Sequence, residues 1–402
     1  MKTLAVKGTK DYLPKEEELR TNIKNIIENT YKSYGYAKIS TPILEDIENL
    51  KNSDGGDNLK LIFEILKRGD KFDKSIENGE YEKLSDLGLR YDLTLPLTRF
   101  YAQNKENLPK PFKSIQIDRV YRAERPQKAR LREFYQCDID VIGDDSIQSE
   151  VELIVVTLKA LENLGLTDLV VKINNRKLLT EVLTSFGYKN DEISTVCVSF
   201  DKLDKISIDD IIAELNEKVD NKLANENFYK FLLNTDIDYS KFESKKEVDE
   251  IINLVKQINP NINLKFDISL VRGQSYYTGT VFEIYSEKLS GAIGGGGRYD
   301  NLIGKFTGKS EPAVGFSIGF ERIYTILAEQ NKEFNSKQKI AVFYNEENYI
   351  EKFKLSETLR DTYVVSLLKM PKKLGKFLDK LTEDGYYGFV NSNTNEIKVL
   401  VA

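Results

Sequence analysis

The chain has no histidine and no tryptophan, and only 2 cysteines and 2 methionines among its 402 residues. The missing histidine excludes every mechanism in which an imidazole acts as general base, triad member or metal ligand. The two cysteines, Cys137 and Cys197, lack metal-ligand spacing, so we predict free thiols and no protein-bound metal site. Any catalysis must therefore use arginine, carboxylates and groups of the substrate.

Long apolar runs are also missing. No stretch approaches the length needed to cross a bilayer, and the N-terminus has no signal-peptide core, so we expect a cytoplasmic protein with no membrane partner. The content of 31% charged and 40% hydrophobic residues is typical of a globular protein, and the length allows two or three domains. A net charge of -5 argues against a globally basic surface, so any RNA contact needs a local basic patch.

The most informative stretch covers residues 112–143. Its two ends mix apolar and polar positions, which predicts two antiparallel strands. Between them, residues 122–133 carry too many cations for a core, so this loop is expected to meet anions; a solvated hairpin loop is the alternative. The strand period places Gln136, Asp138 and Asp140 on one face. A polar face of this kind, opposite an apolar one, is typical of the floor of a binding site.

Five parts of the sequence together resemble one family. They are KGTKDYLP (7–14), LRYDLT (89–94), RAERPQKARLREFYQ (122–136), LVRGQSYYTGTVFE (270–283), and GGGGRYDNLIGKF (294–306) followed by PAVGFSIGFERI (312–323). In this order they resemble the histidyl-tRNA synthetases, which are class II aminoacyl-tRNA synthetases. The third resembles motif 2 of class II enzymes and the last resembles motif 3.

The resemblance implies an α+β fold, with the antiparallel sheet core of a class II synthetase, flanking helices, a helical insertion and a small C-terminal α/β domain. We expect a catalytic core at 1–330 with the insertion at about 177–260, a linker at 331–339 and a shortened anticodon-binding-like domain at 340–402. Alternating strands and helices in the last segment independently indicate a small, mainly parallel α/β unit. A helix followed by a strand near the N-terminus resembles motif 1, which implies a homodimer.

The resemblance also implies the substrates and their contacts. Histidine and ATP with Mg²⁺ would form histidyl-adenylate, and tRNA(His) would accept the histidine. Arg122 and Arg272 are the expected catalytic residues, since planar, permanently charged arginine suits an α-phosphate. The expected ATP-binding residues are Arg122, Glu124, Arg130, Arg132 and Arg322. The expected histidine-binding residues are Asp92, Thr94, Gln136, Asp140, Tyr276, Tyr277 and Tyr299.

Some of these positions have structural alternatives. Asp92 and Thr94 precede a predicted helix at 95–104 and could serve as its N-cap, and tyrosine pairs usually pack in cores. The glycine run at 294–297 is expected after a strand, where a flexible turn is the alternative. We also expect a strand at 36–44 that is interrupted by Pro42, a polar loop at 70–85, and Arg122 and Glu124 on one face of the strand that begins at residue 112.

A different function remains open at this point. The regulatory subunit of ATP phosphoribosyltransferase resembles histidyl-tRNA synthetase and senses histidine, and its partner would be the catalytic subunit of that enzyme. The short C-terminal region, the sequence SYYTG at 275–279 and the missing histidine favour this alternative. Arg122, Arg272 and Arg322 favour the synthetase, because a histidine sensor need not hold a triphosphate. A class II-like ligase that attaches histidine to another acceptor is a third reading.

Overall fold

The computed structural model of the protein describes residues 3–53, 56–127, 130–200, 202–203, 206–233, 237–270, 276–332, 334 and 337–400. Two compact units are present, Met1–Lys332 and Glu333–Ala402. The α-helices are α1 Pro14–Ser33, α2 Ile47–Lys51, α3 Asp70–Glu77, α4 Thr94–Asn104, α5 Gln148–Asn163, α6 Arg176–Phe186, α7 Asn190–Phe200, α8 Ile208–Lys218, α9 Lys222–Leu233, α10 Glu243–Ile258, α11 Asp300–Thr307, α12 Phe320–Glu329, α13 Tyr349–Leu359 and α14 Leu374–Glu383. The strands are β1 Ala37–Lys38, β2 Leu44–Asp46, β3 Glu64–Leu66, β4 Ser85–Leu89, β5 Phe112–Tyr121, β6 Glu133–Ile142, β7 Leu169–Asn175, β8 Leu264–Phe266, β9 Thr280–Ser286, β10 Leu289–Arg298, β11 Ala313–Gly319, β12 Lys339–Tyr344, β13 Val364–Lys369, β14 Tyr386–Val390 and β15 Ile397–Val399.

An eight-stranded sheet with the order β1-β5-β6-β11-β10-β9-β7-β8 forms the centre of the first unit. Its pairs are antiparallel except β1 with β5 and β7 with β8, so the antiparallel core predicted for the fold class is confirmed. β5 and β6 pair over their full length, from Phe112 opposite Ile142 to Tyr121 opposite Glu133. Because β11 lies between β6 and β10, segments distant in sequence meet at the middle of the sheet.

The two faces of β6 differ as the strand period predicts. Cys137, Ile139 and Val141 point to one side and are fully buried, while the residues between them point to the other. Helices α1 and α5 pack against the apolar side and against each other. Burying an aliphatic side chain of this size contributes about 1.5–3 kcal/mol, so this side anchors the sheet and leaves the other free for a ligand.

Two local expectations from the sequence were wrong, and one holds in part. The strand expected at 36–44 with an interruption at Pro42 is two short strands, β1 and β2, in different sheets. The loop expected at 70–85 contains helix α3, whose Asp70 and Asp73 lie in the first turn, where carboxylates stabilise a helix N-terminus. Strand β5 ends at Tyr121, so the side chains expected on its face at 122 and 124 lie beyond it, in the loop.

Helices α6 to α10 form a separate helical segment between β7 and β8, and it has its own core. Phe200, Phe228 and Phe231 pack around one another with ring centroids 5.8 to 6.2 Å apart. The hydroxyl of Tyr188 donates to Asn225 Oδ1 at 2.7 Å at the edge of this core. Helices α6 to α9 therefore share an interior built mainly from their own apolar side chains, whereas α10 packs against α5 and β7.

The second unit is a four-stranded sheet with the order β13-β12-β14-β15. Strands β12, β13 and β14 are parallel and β15 is antiparallel, which confirms the small, mainly parallel α/β unit predicted from the sequence. Its core contains Ala341, Phe343, Leu381 and Phe389. Among the described residues of the whole chain, no helix combines the length and apolar character that a membrane crossing requires.

Candidate active site

A cavity of about 480 Å³ lies over the polar side of the main sheet. Its walls come from β6, β10, β11, the loop between β5 and β6, and the first turn of α12. The residues proposed from the sequence that line it are Thr94, Arg122, Glu124, Arg130, Gln136, Asp140, Tyr276, Tyr277, Tyr299 and Arg322. Thus most of the residues that the sequence singled out, from five separate segments, surround one cavity.

The floor of the cavity is the polar row of β6, formed by Gln136, Asp138 and Asp140. Successive side chains of a strand point to opposite faces, so these three share one face and lie about 7 Å apart along the strand. Both aspartates are at least 95% buried, with exposed fractions of 5% for Asp138 and 4% for Asp140. The cavity floor is therefore acidic and shielded from bulk water.

Glycine keeps the floor open. The run at 294–297 lies inside β10 and not after a strand, which corrects the expectation from the sequence. A side chain at Gly296 would collide with the carbonyl oxygen of Gly315 on β11, and one at Gly315 would collide with the carboxylate of Asp140. These glycines let the two strands approach closely and leave room above the carboxylates.

One end of the cavity combines carboxylates with tyrosines. The hydroxyl of Tyr299 donates to Asp140 Oδ1 at 2.6 Å. The ring of Tyr276 lies 4.8 Å from that of Tyr277 and 6.1 Å from that of Tyr299. This end offers flat aromatic walls and hydrogen-bond acceptors, which is suitable chemistry for a small cationic or N–H-bearing ring.

Asp92 does not line the cavity directly. It is buried, and its Oδ1 accepts a hydrogen bond from the Leu95 amide at 3.1 Å, so the structural alternative of a capping role at the start of α4 is present. Its charge nonetheless acts on Asp138 and Asp140. Asp92 therefore belongs to the electrostatic surroundings of the floor.

The buried carboxyl groups resist ionisation. Burial raises the pKa of Asp140 to about 7, with the Asp92 charge acting in the same direction and the Tyr299 hydrogen bond opposing it. Burial, followed by the Asp140 charge, raises the pKa of Asp138 well above its usual range. Burial also raises the pKa of Asp92. A cationic ligand would favour the charged forms of these groups and would bind more tightly for that reason.

The opposite end of the cavity is cationic. Arg122 donates through Nε to the Tyr91 carbonyl at 3.0 Å, and its guanidinium lies 5.2 Å from the ring centre of Phe134. Arg322 is held from another segment, because it donates to the Ala292 carbonyl at 2.6 Å. Burial, followed by the charge of Arg130, lowers the pKa of Arg322. Two guanidinium groups from distant segments thus line the same cavity, as an anion-binding site requires.

The remaining predicted arginines differ in placement. Arg130 Nε pairs with Glu124 Oε2 at 2.5 Å at the cavity wall. Arg132 does not line the cavity; it donates to the carbonyl oxygens of Glu124 at 3.1 Å and Lys7 at 3.2 Å. It holds the loop to the N-terminal segment in this structure. Arg272 lies outside the described residues.

A buried ion pair fixes the first turn of α12 next to the cationic end of the cavity. Arg20 of α1 forms two hydrogen bonds with Glu321, at 2.6 and 2.8 Å, and Glu321 directly precedes Arg322. Glu321 also accepts from the Tyr135 amide of β6 at 3.3 Å. Three elements, α1, β6 and α12, are therefore joined at the first turn of the helix that carries Arg322.

Sequence reasoning missed several lining residues, including Glu283, Ser317, Phe134 and Phe316. All four lie within the segments that resembled the family, so their inclusion in these motifs was an available signal. For Ser317 and Phe316, the position at the cavity also depends on the pairing of β11 with β6. Among the described residues, no three histidine, cysteine, aspartate or glutamate side chains cluster suitably for a metal ion.

Comparison with known proteins identifies relatives over most of the chain. A family model described as histidyl-tRNA synthetase matches residues 8–323. The chain is 38% identical over 341 residues to a histidine–tRNA ligase from Leifsonia xyli subsp. xyli, covering 80% of this chain and 79% of that protein. It is 35% identical over 408 residues to a histidine–tRNA ligase from Christiangramia forsetii, covering 93% and 89% of the two chains.

Solved structures give the same result for the fold. The crystal structure of histidyl-tRNA synthetase from Nostoc sp. PCC 7120 superposes with a TM-score of 0.80 at 25% identity, covering 98% of this chain and 92% of that one. An ATP phosphoribosyltransferase regulatory subunit/histidyl-tRNA synthetase from Bacillus halodurans C superposes with a TM-score of 0.77, but at 21% identity this likeness concerns the fold alone. From the family match, the sequence identity and the shared fold together, the chain belongs to the histidyl-tRNA synthetase family of class II aminoacyl-tRNA synthetases.

Proposed function

We propose that this protein is a histidine–tRNA ligase that activates histidine with ATP to histidyl-adenylate, releases pyrophosphate and transfers the histidyl group to tRNA(His). The observation that carries this function is the single cavity with an acidic, tyrosine-lined end and an arginine-lined end. A zwitterionic amino acid with an N–H-bearing ring matches the first end, and a triphosphate matches the second.

The chemical step needs neutralisation of charge more than transfer of a proton. The histidine carboxylate attacks the α-phosphorus of ATP, a new oxygen–phosphorus bond forms, and the bond to pyrophosphate breaks. Attacker and target are both anionic, so fixed cations near the α-phosphate stabilise the transition state. We assign this role to Arg122 and Arg272, of which Arg122 lines the cavity and Arg272 lies outside the described residues.

ATP would extend from the α-phosphate toward Arg322 and Arg130, which we assign to its β and γ phosphates. Glu124 would accept from the adenine amino group, and its present pairing with Arg130 would then be exchanged for contacts with the nucleotide. Arg132, which holds the loop, would contribute to ATP binding through the position of Glu124.

Magnesium is expected to arrive with ATP. The carboxylate of Glu283 lines the cavity with Arg130 and Arg322, and carboxylate oxygens are the ligands that Mg²⁺ prefers. Glu283 would therefore supply a protein ligand beside the phosphate oxygens, and the ion, when bound, would neutralise part of the phosphate charge.

For histidine, we assign Asp140 and Tyr276 to the imidazole ring, with Tyr277 and Tyr299 completing the walls. The Tyr299 hydroxyl already occupies one oxygen of Asp140, which leaves the other to accept a ring N–H. Thr94, Gln136 and Asp92 would surround the α-ammonium and carboxylate groups, with Asp92 acting through its charge rather than by lining the cavity.

The wider assignments belong to the same proposal. Residues 1–330 would form the catalytic core with the helical insertion at about 177–260, and 340–402, after a linker at 331–339, would form an anticodon-binding-like domain. We expect a homodimer in the cytoplasm. tRNA(His) would be the partner macromolecule, as it is for proteins named histidine–tRNA ligase.

Histidine-dependent pyrophosphate exchange and charging of total tRNA with labelled histidine test the proposal. We expect both activities in the wild-type protein and loss of exchange in Arg272→Ala without loss of the fold. Arg119→Ala is the control, because Arg119 has a half-exposed side chain outside the cavity and pairs with Glu133. A protein that binds histidine, neither exchanges nor charges, and is captured by the catalytic subunit of ATP phosphoribosyltransferase would be a regulatory subunit instead.

A further inference from the structure

The central residue of the cavity floor, Asp138, has an unusual environment. It lies between Gln136 and Asp140 on β6, lines the cavity, and is 5% exposed. In the part of the chain that the structure describes, its Oδ1 atom is buried and has no hydrogen-bond partner. The Oε1 atom of Gln136 is in the same condition. Two neighbouring residues of the cavity floor therefore each have a buried acceptor atom without a donor.

An unpaired buried carboxylate oxygen is unfavourable for folding. A polar group removed from water without a hydrogen bond destabilises the folded state, and a charged group does so more strongly. If the floor needed only to support the sheet, serine or glycine would serve, as Ser317 and Gly315 do on the neighbouring strand β11. The unpaired oxygen is explained when a ligand donates to it.

The position of Asp138 along β6 indicates which end of an amino acid it meets. Strand β5 ends at Tyr121 opposite Glu133, so Arg122 lies beyond this end of the hairpin, and Gln136, Asp138 and Asp140 follow at increasing distances from it. Arg122 also opposes the burial that raises the pKa of Asp138. Asp138 is therefore on the Arg122 side of the floor, toward the α-phosphate and away from the tyrosine-lined end.

We propose that Asp138 is a third carboxylate of the amino-acid subsite and accepts a hydrogen bond from the α-ammonium group of the substrate. This inference rests on the proposed function, in which the ring lies at Asp140 and the α-carboxylate at Arg122. Asp138 lies about 7 Å from Asp140 along the strand, in the direction that leads from the imidazole ring of the bound histidine to its reacting carboxylate. The ammonium group lies between these two ends of histidine, so Asp138 determines specificity for an α-amino acid over a plain carboxylic acid.

The test is a comparison of three ligands on Asp138→Asn by titration calorimetry. Histidine and histidinol carry the ammonium group, whereas 3-(imidazol-4-yl)propionate has the ring and carboxylate but no ammonium group. We expect the substitution to lower the affinities for histidine and histidinol by about tenfold or more, which is the loss typical of a charge-assisted hydrogen bond. The affinity for the propionate should not change. The ratio of affinities for histidine and propionate thus isolates the pairwise interaction.

The controls separate the possible failures. Asp145→Asn removes a carboxylate from an exposed position and should leave all three affinities at wild-type values. Asp138→Ser provides a second neutral variant if the asparagine does not fold. An unchanged histidine-to-propionate ratio, whether all affinities fall together or none does, overturns the role of Asp138. A wild-type protein that binds no histidine counts against the proposed function itself.

Stability gives an additional readout. Replacing a residue kept for packing would destabilise the protein, whereas replacing a buried carboxylate that has one unpaired oxygen and is retained for a ligand should not. We expect the unfolding temperature of ligand-free Asp138→Asn to equal or exceed that of the wild type. A clear decrease, together with an unchanged affinity ratio, would assign Asp138 to structure alone.

Discussion

The cavity floor and the helical segment α6 to α10 are organised by opposite principles. At the centre of the helical segment, Phe228 is fully buried among aromatic rings, and the buried Asn225 donates to Asn216 at 2.9 Å and the Val219 carbonyl at 3.2 Å. The floor instead holds buried carboxylates with raised pKa values. The contacts of the first region stabilise the fold. The buried carboxylates of the second region destabilise it, but they are available to bind a ligand.

The largest expected effect is on the helical segment. Phe228→Ala should destabilise it by about 3–5 kcal/mol, because a large cavity would replace a fully buried ring. Hydrogen exchange should then show faster exchange in α6 to α10, while pyrophosphate exchange is retained and tRNA charging falls. Leu223→Ala, in the same helix but 69% exposed, is the matched control. Equal loss of both activities would contradict the separation of the two regions.

At the floor the expected effect is on activity and not on folding. Arg122→Ala should reduce histidine-dependent pyrophosphate exchange by about 10²–10³-fold, as expected when a fixed donor to developing charge is removed. The unfolding temperature should change little, because the side chain makes one described hydrogen bond, to the Tyr91 carbonyl. Arg119→Ala serves again as control. A folded Arg122→Ala variant with normal exchange would remove this residue from the mechanism.

A third prediction concerns the space that Gly291 leaves for the Arg322 guanidinium. Gly291 has φ +82°, and a Cβ there would lie 2.8 Å from the Arg322 guanidinium. Gly291→Ala should displace that guanidinium and raise the KM for ATP by about tenfold, a change of about 1.4 kcal/mol. Gly35→Ala is the matched control, since Gly35 has φ +83° and no neighbour within 4 Å, so both variants carry similar backbone strain. Equal effects of the two variants on KM would show that strain alone is responsible.

The smallest expected effect is on the pH dependence of stability. The pKa of Asp140 is raised to about 7 in the folded protein, so the folded form keeps a proton that the unfolded chain has lost. Stability is therefore fully present below the unfolded pKa and declines as pH rises through about 7. Relative to Asp140→Asn, the ligand-free wild type should lose about 1 kcal/mol between pH 6 and pH 8. Thermal unfolding at several pH values measures this, and a parallel response of both proteins would contradict it.

The sequence predicted those features that depend on local periodicity and on recognisable motifs. The hairpin of β5 and β6, with Gln136, Asp138 and Asp140 on one face, follows directly from the period of two. Helix α4 begins at Thr94, one residue before the predicted start. Periodicity failed for α3, where DKFDKSIE has only two apolar residues and its charges resemble those of a loop.

Features that depend on contacts between distant segments could not be read from the sequence. The glycines at 294–297 were expected after a strand because an isolated run of glycine favours turns, but β10 continues through them against β11. The capping bond of Asp92, the Arg130 pairing with Glu124 and the turning of Arg132 toward Lys7 likewise depend on tertiary packing. The sequence identified these residues, but it could not show which of them contact a ligand and which hold the surrounding structure in place.

The link between Arg20 and Glu321 has a consequence for biosynthesis. The two residues are 301 positions apart, which a ribosome adding about 5–20 residues per second needs roughly 15–60 seconds to translate. During that interval β6 has its acidic row in place, but its neighbour β11 has not been made, and the strand presents an unpaired backbone edge. A polypeptide terminated before residue 313 would therefore be an aggregation-prone fragment and would have no residual activity.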